Sequence, residues 1–172
     1  MKNHFIQDLT TFALVALQAT IVVLLTSCVS VQLPFGSVPK AEKALVTKPN
    51  SPFVSLSTNT ADEAWISEKT GNTISYLSEC KKSEEKAEEV ALDAARAVDH
   101  AKILKTSNSL IDSKPASEVL VSGKVDSHKV KMAVAAFKNR DCTFSLTYGG
   151  LEQNFEDELK EFEDFKKGFK IP

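Results

Sequence analysis

The sequence has 172 residues, with 21 Lys and Arg against 23 Asp and Glu, for a formal net charge of −2. Binding to nucleic acid depends on clustered lysine and arginine that neutralise phosphate groups, and here the basic residues are interleaved with acids. This balance argues against a nucleic-acid partner. Once the N-terminal segment is set aside, the remaining length suits one domain rather than two.

The N-terminal segment has the pattern of a secretory signal. Lys2 gives a positive start, Phe12–Leu25 is a mostly apolar run of 14 residues, and small polar residues then precede a cysteine. The tetrapeptide Leu25-Thr26-Ser27-Cys28 resembles the lipobox of bacterial lipoproteins. In that family the chain is cut before the cysteine, whose thiol and new N-terminus are acylated. The resemblance predicts a signal peptide at 1–27 and lipidation of Cys28.

Two alternatives to the lipobox are an ordinary cleaved signal and an uncleaved anchor. A membrane-spanning helix needs about 20 apolar residues, whereas this run is shorter and is interrupted by Gln18 and Thr20. Residue 29 is Val rather than Asp, which implies transfer to the outer membrane under the sorting rule of enterobacterial lipoproteins. The predicted location is therefore the cell envelope, with the acyl chains on Cys28 held in the outer membrane.

Residues 28–60 are predicted to be the lipidated N-terminus and a flexible linker. Four prolines and many Ser, Thr and Lys residues interrupt any helical or strand periodicity there. Phe53 and Leu56 are apolar residues that could pack on the domain. The boundary with the domain at 61–172 is therefore defined only to within several residues.

The folded part is predicted to begin with a β-hairpin. Residues 64–68 and 72–78 are strand-like, and Gly71 lies in the turn between them. Trp65, the only tryptophan, is expected to anchor the core.

A long helix is predicted next, because Ser83 followed by acidic residues is typical of a helix start. Apolar residues at helical spacing extend the pattern to Leu104, and most of them are alanine. This helix is expected to cover a sheet closely. The residues are Ala87, Val90, Ala91, Ala94, Val98, Ala101 and Leu104.

Three strands with short connections are predicted after the helix, at 118–126, 129–138 and 142–148, and a further strand is considered at 104–112. Alternation of apolar and polar residues in each segment indicates an antiparallel meander with one face covered. The pair Gly149-Gly150 is interpreted as a turn into the last helix.

The chain is predicted to end with an amphipathic helix over about 154–167. Its aromatic stripe could face either the core or a membrane. The opposite face is rich in acids, which anionic lipid would repel, so the stripe is assigned to the core. The stripe comprises Phe155, Leu159, Phe162, Phe165 and Phe169.

The three cysteines are Cys28, Cys80 and Cys142, and an odd number in a secreted protein needs an explanation. If Cys28 is acylated, an even pair remains in an oxidising compartment where disulfides persist. Cys80 follows one predicted strand and Cys142 opens another, so a Cys80–Cys142 disulfide between neighbouring strand ends is expected. The alternative is two unpaired, half-buried thiols.

The element order predicts an α+β fold, with one antiparallel sheet and two packed helices. Thr70–Tyr76 with Cys80, Gly123–Asp126 and Cys142–Tyr148 resemble segments of small uncharacterised lipoproteins from predatory Gram-negative bacteria. The element order in turn is similar to the PsbP-like α/β/α sandwich, shared by extrinsic photosystem proteins and DcrB-type envelope lipoproteins. Neither resemblance supplies a catalytic or ligand-binding motif.

No strong catalytic motif is present in the sequence. Asp126 and His128 could share a strand face, but no partner nucleophile or oxyanion donors can be named for them. Asp99-His100 is interpreted as part of a solvated helix face. The acidic run 156–164 offers at most a weak cation site, so no metal ligands, cofactor or catalytic residues are assigned.

The sequence therefore favours a non-catalytic envelope lipoprotein whose folded domain binds another envelope component. A small-ligand carrier with a pocket between sheet and helix is the alternative, although the large number of phenylalanines argues mildly against a cavity. A hydrolase is the third class, for which no residue set can be named.

Overall fold

The computed structural model describes residue 41 and residues 44–81 and 84–172. Cys28 and the predicted signal peptide lie outside the described residues. The described residues all fall within one compact unit.

The described part contains seven strands, two α-helices and one short 3₁₀ helix. The strands form a single antiparallel sheet in the order β1-β2-β3-β7-β6-β5-β4. The predicted α+β class is confirmed. The elements are β1 (Phe53–Ser55), β2 (Glu63–Ser67), β3 (Thr73–Cys80), α1 (Ala87–Ala95), β4 (Asp99–Ile111), β5 (Lys114–Val125), β6 (His128–Asn139), β7 (Cys142–Leu151), the 3₁₀ helix (Phe155–Glu158) and α2 (Leu159–Gly168).

Tight turns join the last four strands of the sheet. Asp112-Ser113 connects β4 to β5 and Asp126-Ser127 connects β5 to β6, and all four residues have positive φ. Two consecutive positive φ values define the type I′ turn, whose twist matches that of the flanking strands. Asp tolerates this conformation better than most non-glycine residues, which explains its place at the head of both turns.

The predicted helix from Ser83 to Leu104 is too long, because α1 ends at Ala95 and β4 begins at Asp99. His100 has a φ of 53°, which a right-handed helix cannot accommodate. The apolar spacing of Val98, Ala101 and Leu104 therefore mimics a helical stripe without forming one. Pairing with β5 satisfies the backbone of β4 and overrides the local pattern.

The folded unit begins earlier than residue 61. Phe53 is 3 % exposed and belongs to β1, which pairs with β2 at the edge of the sheet. Upstream of it, Ala44 is buried, and Leu45 exchanges two backbone hydrogen bonds with Lys170, both at 2.9 Å. The C-terminal part of the predicted linker is thus integral to the domain.

Two further predictions differ in detail from the structure. Gly149 and Gly150 lie inside β7 and not in a turn, since the strand continues to Leu151. The predicted C-terminal helix is split into the 3₁₀ helix and α2, and the two elements follow each other directly.

The main core lies between α2 and one face of the sheet, which we call the aromatic face. Phe162 of α2 stacks on Tyr148 of β7 with ring centroids 5.6 Å apart, and Phe165 meets Trp65 edge-on at 5.4 Å. The predicted placements of Trp65 and of the aromatic stripe in the core are confirmed. The four phenylalanines of the stripe are at most 3 % exposed, and Leu159 is partly buried.

Candidate functional site

Helix α1 covers only part of the opposite face of the sheet. Its buried alanines, Ala91 and Ala95, pack on Val119 and Val121 of β5 and on Val134 of β6. Nine helical residues span about 14 Å, and a helix is about 10 Å wide, whereas seven strands spaced at about 4.8 Å extend over about 29 Å. One short helix therefore leaves the β3 and β7 side of this face without a covering helix in the described part of the chain.

The strip beside α1 forms an open groove of about 340 Å³, which we call the hydroxyl groove. Its floor consists of outward-facing residues of β3 and β7, in the register Ser75–Thr147, Leu77–Ser145 and Glu79–Thr143. Val90, Asp93 and Ala94 of α1 form one wall, and Thr60 and Ala61 form the opposite side. The lining also includes Lys81 and Glu85, so nine of the 13 lining residues lie on β3, α1 or β7 and four lie in loops.

Charged side chains around the groove are engaged in local contacts. The ammonium group of Lys81 lies 3.6 Å from the Glu79 carboxylate, and Arg96 pairs with Asp93 at 2.6 Å. Lys138 donates a hydrogen bond to the backbone oxygen of Glu85 at 2.9 Å. The groove thus combines serine and threonine hydroxyls with apolar patches and a mixed-charge rim.

The hydroxyls of the groove floor can bind a partner through hydrogen bonds. An activated serine or threonine requires a base within hydrogen-bonding reach and donors for the developing oxyanion. The described residues that line the groove include four serine or threonine hydroxyls on its floor and no histidine or cysteine. Hydroxyl groups can donate and accept hydrogen bonds, so the groove suits a partner with exposed polar groups.

A buried polar cluster lies on the aromatic face, where it joins the turn before β3 to the start of α2. Glu158, 6 % exposed, accepts hydrogen bonds from the hydroxyls of Ser67 at 2.7 Å and Thr70 at 2.5 Å. The fully buried Asn72 amide donates to the Tyr148 hydroxyl at 2.9 Å and to Glu158 at 3.2 Å. Hydrogen bonds to a buried carboxylate are stronger than neutral ones, so the cluster fixes α2 on the sheet.

Tyr148 completes this cluster by donating a 2.7 Å hydrogen bond to the backbone oxygen of Phe155. Burial, followed by the negative charge of Glu158, raises the pKa of Tyr148 well above its usual value. The phenol therefore stays protonated and keeps its donor role at ordinary pH. Because its members are buried, the cluster is a structural support and not a binding surface.

Cys80 and Cys142 face each other at the paired ends of β3 and β7 and form a disulfide, with Cα atoms 4.0 Å apart. The expected pairing is present in the structure. It closes a segment that contains α1, β4, β5 and β6. Cross-linking so long a segment restricts the unfolded chain and stabilises a domain by about 2–5 kcal/mol.

The structure places the titratable pairs considered from the sequence in a turn and at the start of a strand. Asp126 lies in a turn, and the Nδ1 atom of exposed His128 contacts the backbone oxygen of Asp126 at 3.0 Å. Asp99 and His100 open strand β4, contrary to their predicted place on a helix. Within the described ranges, no group of three or more His, Cys, Asp or Glu residues could hold a metal ion.

No helix in the described part of the chain is long and apolar enough to cross a membrane.

The hydroxyl groove was not identified from the sequence. The signal for it is the alternation of Thr143, Ser145 and Thr147 with the core residues of β7. That alternation is also the ordinary pattern of any strand with one solvated face. It therefore indicates a groove only when the position and length of α1 are known.

Solved structures of other proteins resemble this chain in fold. LpqN of Mycobacterium tuberculosis, described as involved in cell envelope biogenesis, has a TM-score of 0.62 at 10 % identity, covering 78 % of this chain and 86 % of LpqN. The cyanobacterial PsbP protein CyanoP of Synechocystis has a TM-score of 0.53 at 13 % identity, covering 86 % of this chain and 99 % of CyanoP. The chain therefore shares the PsbP-like fold. No family model and no curated protein matches the sequence.

Proposed function

We propose that this chain is a lipid-anchored protein of the cell envelope, whose folded domain binds an envelope protein partner and carries out no catalysis. The observation that carries the proposal is the hydroxyl groove, an open surface built mainly on the sheet and α1, whose described lining includes four hydroxyls on its floor and no histidine or cysteine. The fold shared with LpqN, the Cys80–Cys142 disulfide and the lipobox-like tetrapeptide support an envelope location.

The groove favours a protein partner over the alternative, a small-ligand carrier. Pockets for small ligands have volumes of about 300–1,000 Å³ and bury most of an apolar ligand. The hydroxyl groove lies at the lower end of this range, is open along one side and carries four hydroxyls on its floor beside apolar surface. A protein segment could lie along such a groove and satisfy its hydroxyls, whereas a lipophilic ligand would leave them without partners.

The anchor is tested by labelling cells with a clickable palmitate. We expect the full-length chain and a Ser30→Ala control to be labelled and Cys28→Ala not to be, because the acyl acceptor is lost. Each buried methylene contributes about 0.8 kcal/mol to membrane binding, so the variant should also leave the membrane fraction unless its uncleaved signal retains it. Equal labelling of all three proteins would refute lipidation of Cys28.

The binding surface is tested with a photoreactive amino acid at Ser145, on the groove floor, in cells that produce the full-length chain. We expect a discrete adduct with a partner protein at Ser145 and none with that protein at Leu110, which is 73 % exposed on β4 away from the groove. Ala94→Arg, which fills the wall of the groove, should abolish the adduct. The matched control Ala97→Arg, just beyond α1 and exposed, should preserve it.

Two outcomes would contradict the proposal. An adduct that persists in Ala94→Arg would place the partner elsewhere on the domain. A bound small molecule, detected by mass spectrometry of the intact protein from envelopes and lost in Ala94→Arg, would favour the carrier function.

A further inference from the structure

Strand β4 forms one edge of the sheet and is 13 residues long, whereas β1 at the other edge has three residues. The backbone groups of an exposed edge can pair with another strand, and proteins prevent this with short edge strands, charges, bulges or a covering element. Among the described residues, no strand pairs with the outer side of β4. Of the eight large apolar side chains that are exposed in this part of the chain, three lie on β4, namely Ile103, Leu104 and Leu110.

The first half of β4 is protected against strand pairing and the second half is not. Two register shifts mark irregularities between Asp99 and Lys105, and Lys102 and Lys105 add charge, so this half discourages a further strand. Residues 106–110, which we call the open edge, pair with β5 in a regular register. Their sequence, Thr-Ser-Asn-Ser-Leu, contains no charge and no proline. Protection of the edge therefore ends where the regular ladder begins.

The turn between β4 and β5 determines which backbone groups point outward. Ile111 and Lys114 flank a two-residue turn, so they form a hydrogen-bonded pair, and the two kinds of pair alternate along the strands from there. Leu110 accordingly belongs to a non-hydrogen-bonded pair, which agrees with its partner Pro115, a residue without an N–H group to donate. Every second residue of the open edge therefore directs its N–H and C=O groups away from β5. These residues are Thr106, Asn108 and Leu110.

We propose that the open edge pairs with the open edge of a second copy of this chain, antiparallel and about a two-fold axis at Asn108. In this register Asn108 faces Asn108 of the second copy, and Thr106 faces Leu110. These pairs exchange about six backbone hydrogen bonds and use every outward-pointing residue of the open edge. A shift by two residues would pair part of the open edge with the irregularity near Leu104 or with the turn at Asp112. A shift by one would place outward groups opposite inward ones.

The side chains of the open edge favour a second copy over an unrelated strand. Ser107 faces Ser109 of the second copy in a non-hydrogen-bonded pair, where side chains are closest. Within the described part of the chain, the buried Oγ of Ser109 has no hydrogen-bond partner, and rotation of this side chain towards Ser107 supplies one. The Asn108 amide carries a donor and an acceptor, so it is self-complementary on the axis. The same register keeps the two copies of Lys105 about 20 Å apart along the strands.

The test is sedimentation equilibrium of the full-length chain, purified in detergent with micelles in excess, over a range of concentrations. We expect a monomer–dimer equilibrium in which Asn108→Lys raises the dissociation constant at least about tenfold, because two ammonium groups would meet on the axis. Asn108 is exposed, so the substitution should not unfold the domain. The matched control is Ser55→Lys, exposed on the opposite edge strand β1, which should leave the dimer intact.

An exchange of charge separates pairing at Asn108 from an indirect effect of the substitution. Asn108→Glu alone should also be monomeric, because two carboxylates would face each other. An equal mixture of Asn108→Lys and Asn108→Glu should recover a dimer that contains one chain of each, since opposite charges across adjacent strands attract. Native mass spectrometry identifies this mixed dimer when one of the two variants carries a heavy nitrogen isotope.

Hydrogen exchange locates the interface in the wild-type dimer. We expect the outward-pointing amides of Thr106, Asn108 and Leu110 to exchange slowly in the dimer and rapidly in Asn108→Lys. A wild-type chain that stays monomeric over the whole range would overturn the proposal. A dimer that persists in Asn108→Lys would also overturn it, because the interface would then lie elsewhere. These outcomes do not depend on the proposed anchor, since chains with and without acyl groups can both be measured in detergent.

Discussion

Replacing Phe162 by alanine is expected to lower the free energy of unfolding by about 3–5 kcal/mol. The side chain is 1 % exposed, stacks on Tyr148 and lies 5.2 Å from the ammonium group of Lys166. Its truncation removes buried apolar area and leaves a cavity under α2. The surrounding rings pack against several neighbours, so they cannot move to fill that cavity. The loss is a large part of the stability of an ordinary domain, about 5–15 kcal/mol.

A thermal melt of the purified protein measures this effect, and the melting temperature should fall by about 10–20 °C. Leu110→Ala provides the control, since a side chain that is 73 % exposed contributes little when removed. If Phe162→Ala melts with the wild type and instead weakens binding to liposomes, α2 would have to present its aromatic stripe to lipid. The stacking on Tyr148 argues against that result.

The second large effect is expected for Gly150→Ala. An ideal Cβ at this position would lie 1.8 Å from Oδ1 of Asn72, a separation that no pair of unbonded heavy atoms can adopt. Asn72 is fully buried and its side-chain nitrogen lies within hydrogen-bonding distance of three acceptors, so it cannot move aside without disrupting the buried polar cluster. We expect destabilisation by about 2–4 kcal/mol from overpacking and lost hydrogen bonds.

The neighbouring glycine supplies a matched control. A Cβ on Gly149 would approach no atom closer than 3.8 Å, which is ordinary contact. Gly149→Ala should therefore be neutral or slightly stabilising, because alanine loses less conformational entropy than glycine on folding. In denaturant titrations the two variants should differ by about 2 kcal/mol or more; equal midpoints would contradict the close approach of Asn72.

A double-mutant cycle identifies the cause of the destabilisation. Asn72→Ala removes the clashing amide together with its hydrogen bonds, so it destabilises the protein by itself. Adding Gly150→Ala to that variant should then cost little, because the clash is gone. Additive losses in the cycle would mean that Gly150 acts through its backbone conformation alone.

The sequence predicts strands β5, β6 and β7 well and the extent of α1 poorly. The segments of β5, β6 and β7 alternate strictly, and only a strand has a period of two residues. Val98, Ala101 and Leu104, in contrast, are three residues apart, and this spacing fits a helix although two of the three lie in β4. A helix boundary that depends on pairing with a distant strand cannot be read from local spacing.

The hydroxyl groove depends even more on tertiary structure. The hydroxyl groove exists because α1 stops at Ala95 and covers β5 and β6 rather than β3 and β7. The Cys80–Cys142 disulfide is predictable because, once Cys28 is assigned to lipidation, only these two cysteines remain to pair.

The disulfide also determines what a protease can do to this domain. The exposed turn at Asp126-Ser127 and the whole of α1, β4, β5 and β6 lie between Cys80 and Cys142 in the chain. A single cut in this stretch therefore leaves both fragments covalently joined, with one carrying β1 to β3 and the other β7 and α2. A molecule nicked in this stretch keeps its two halves together until a reductant reaches the sulfur–sulfur bond.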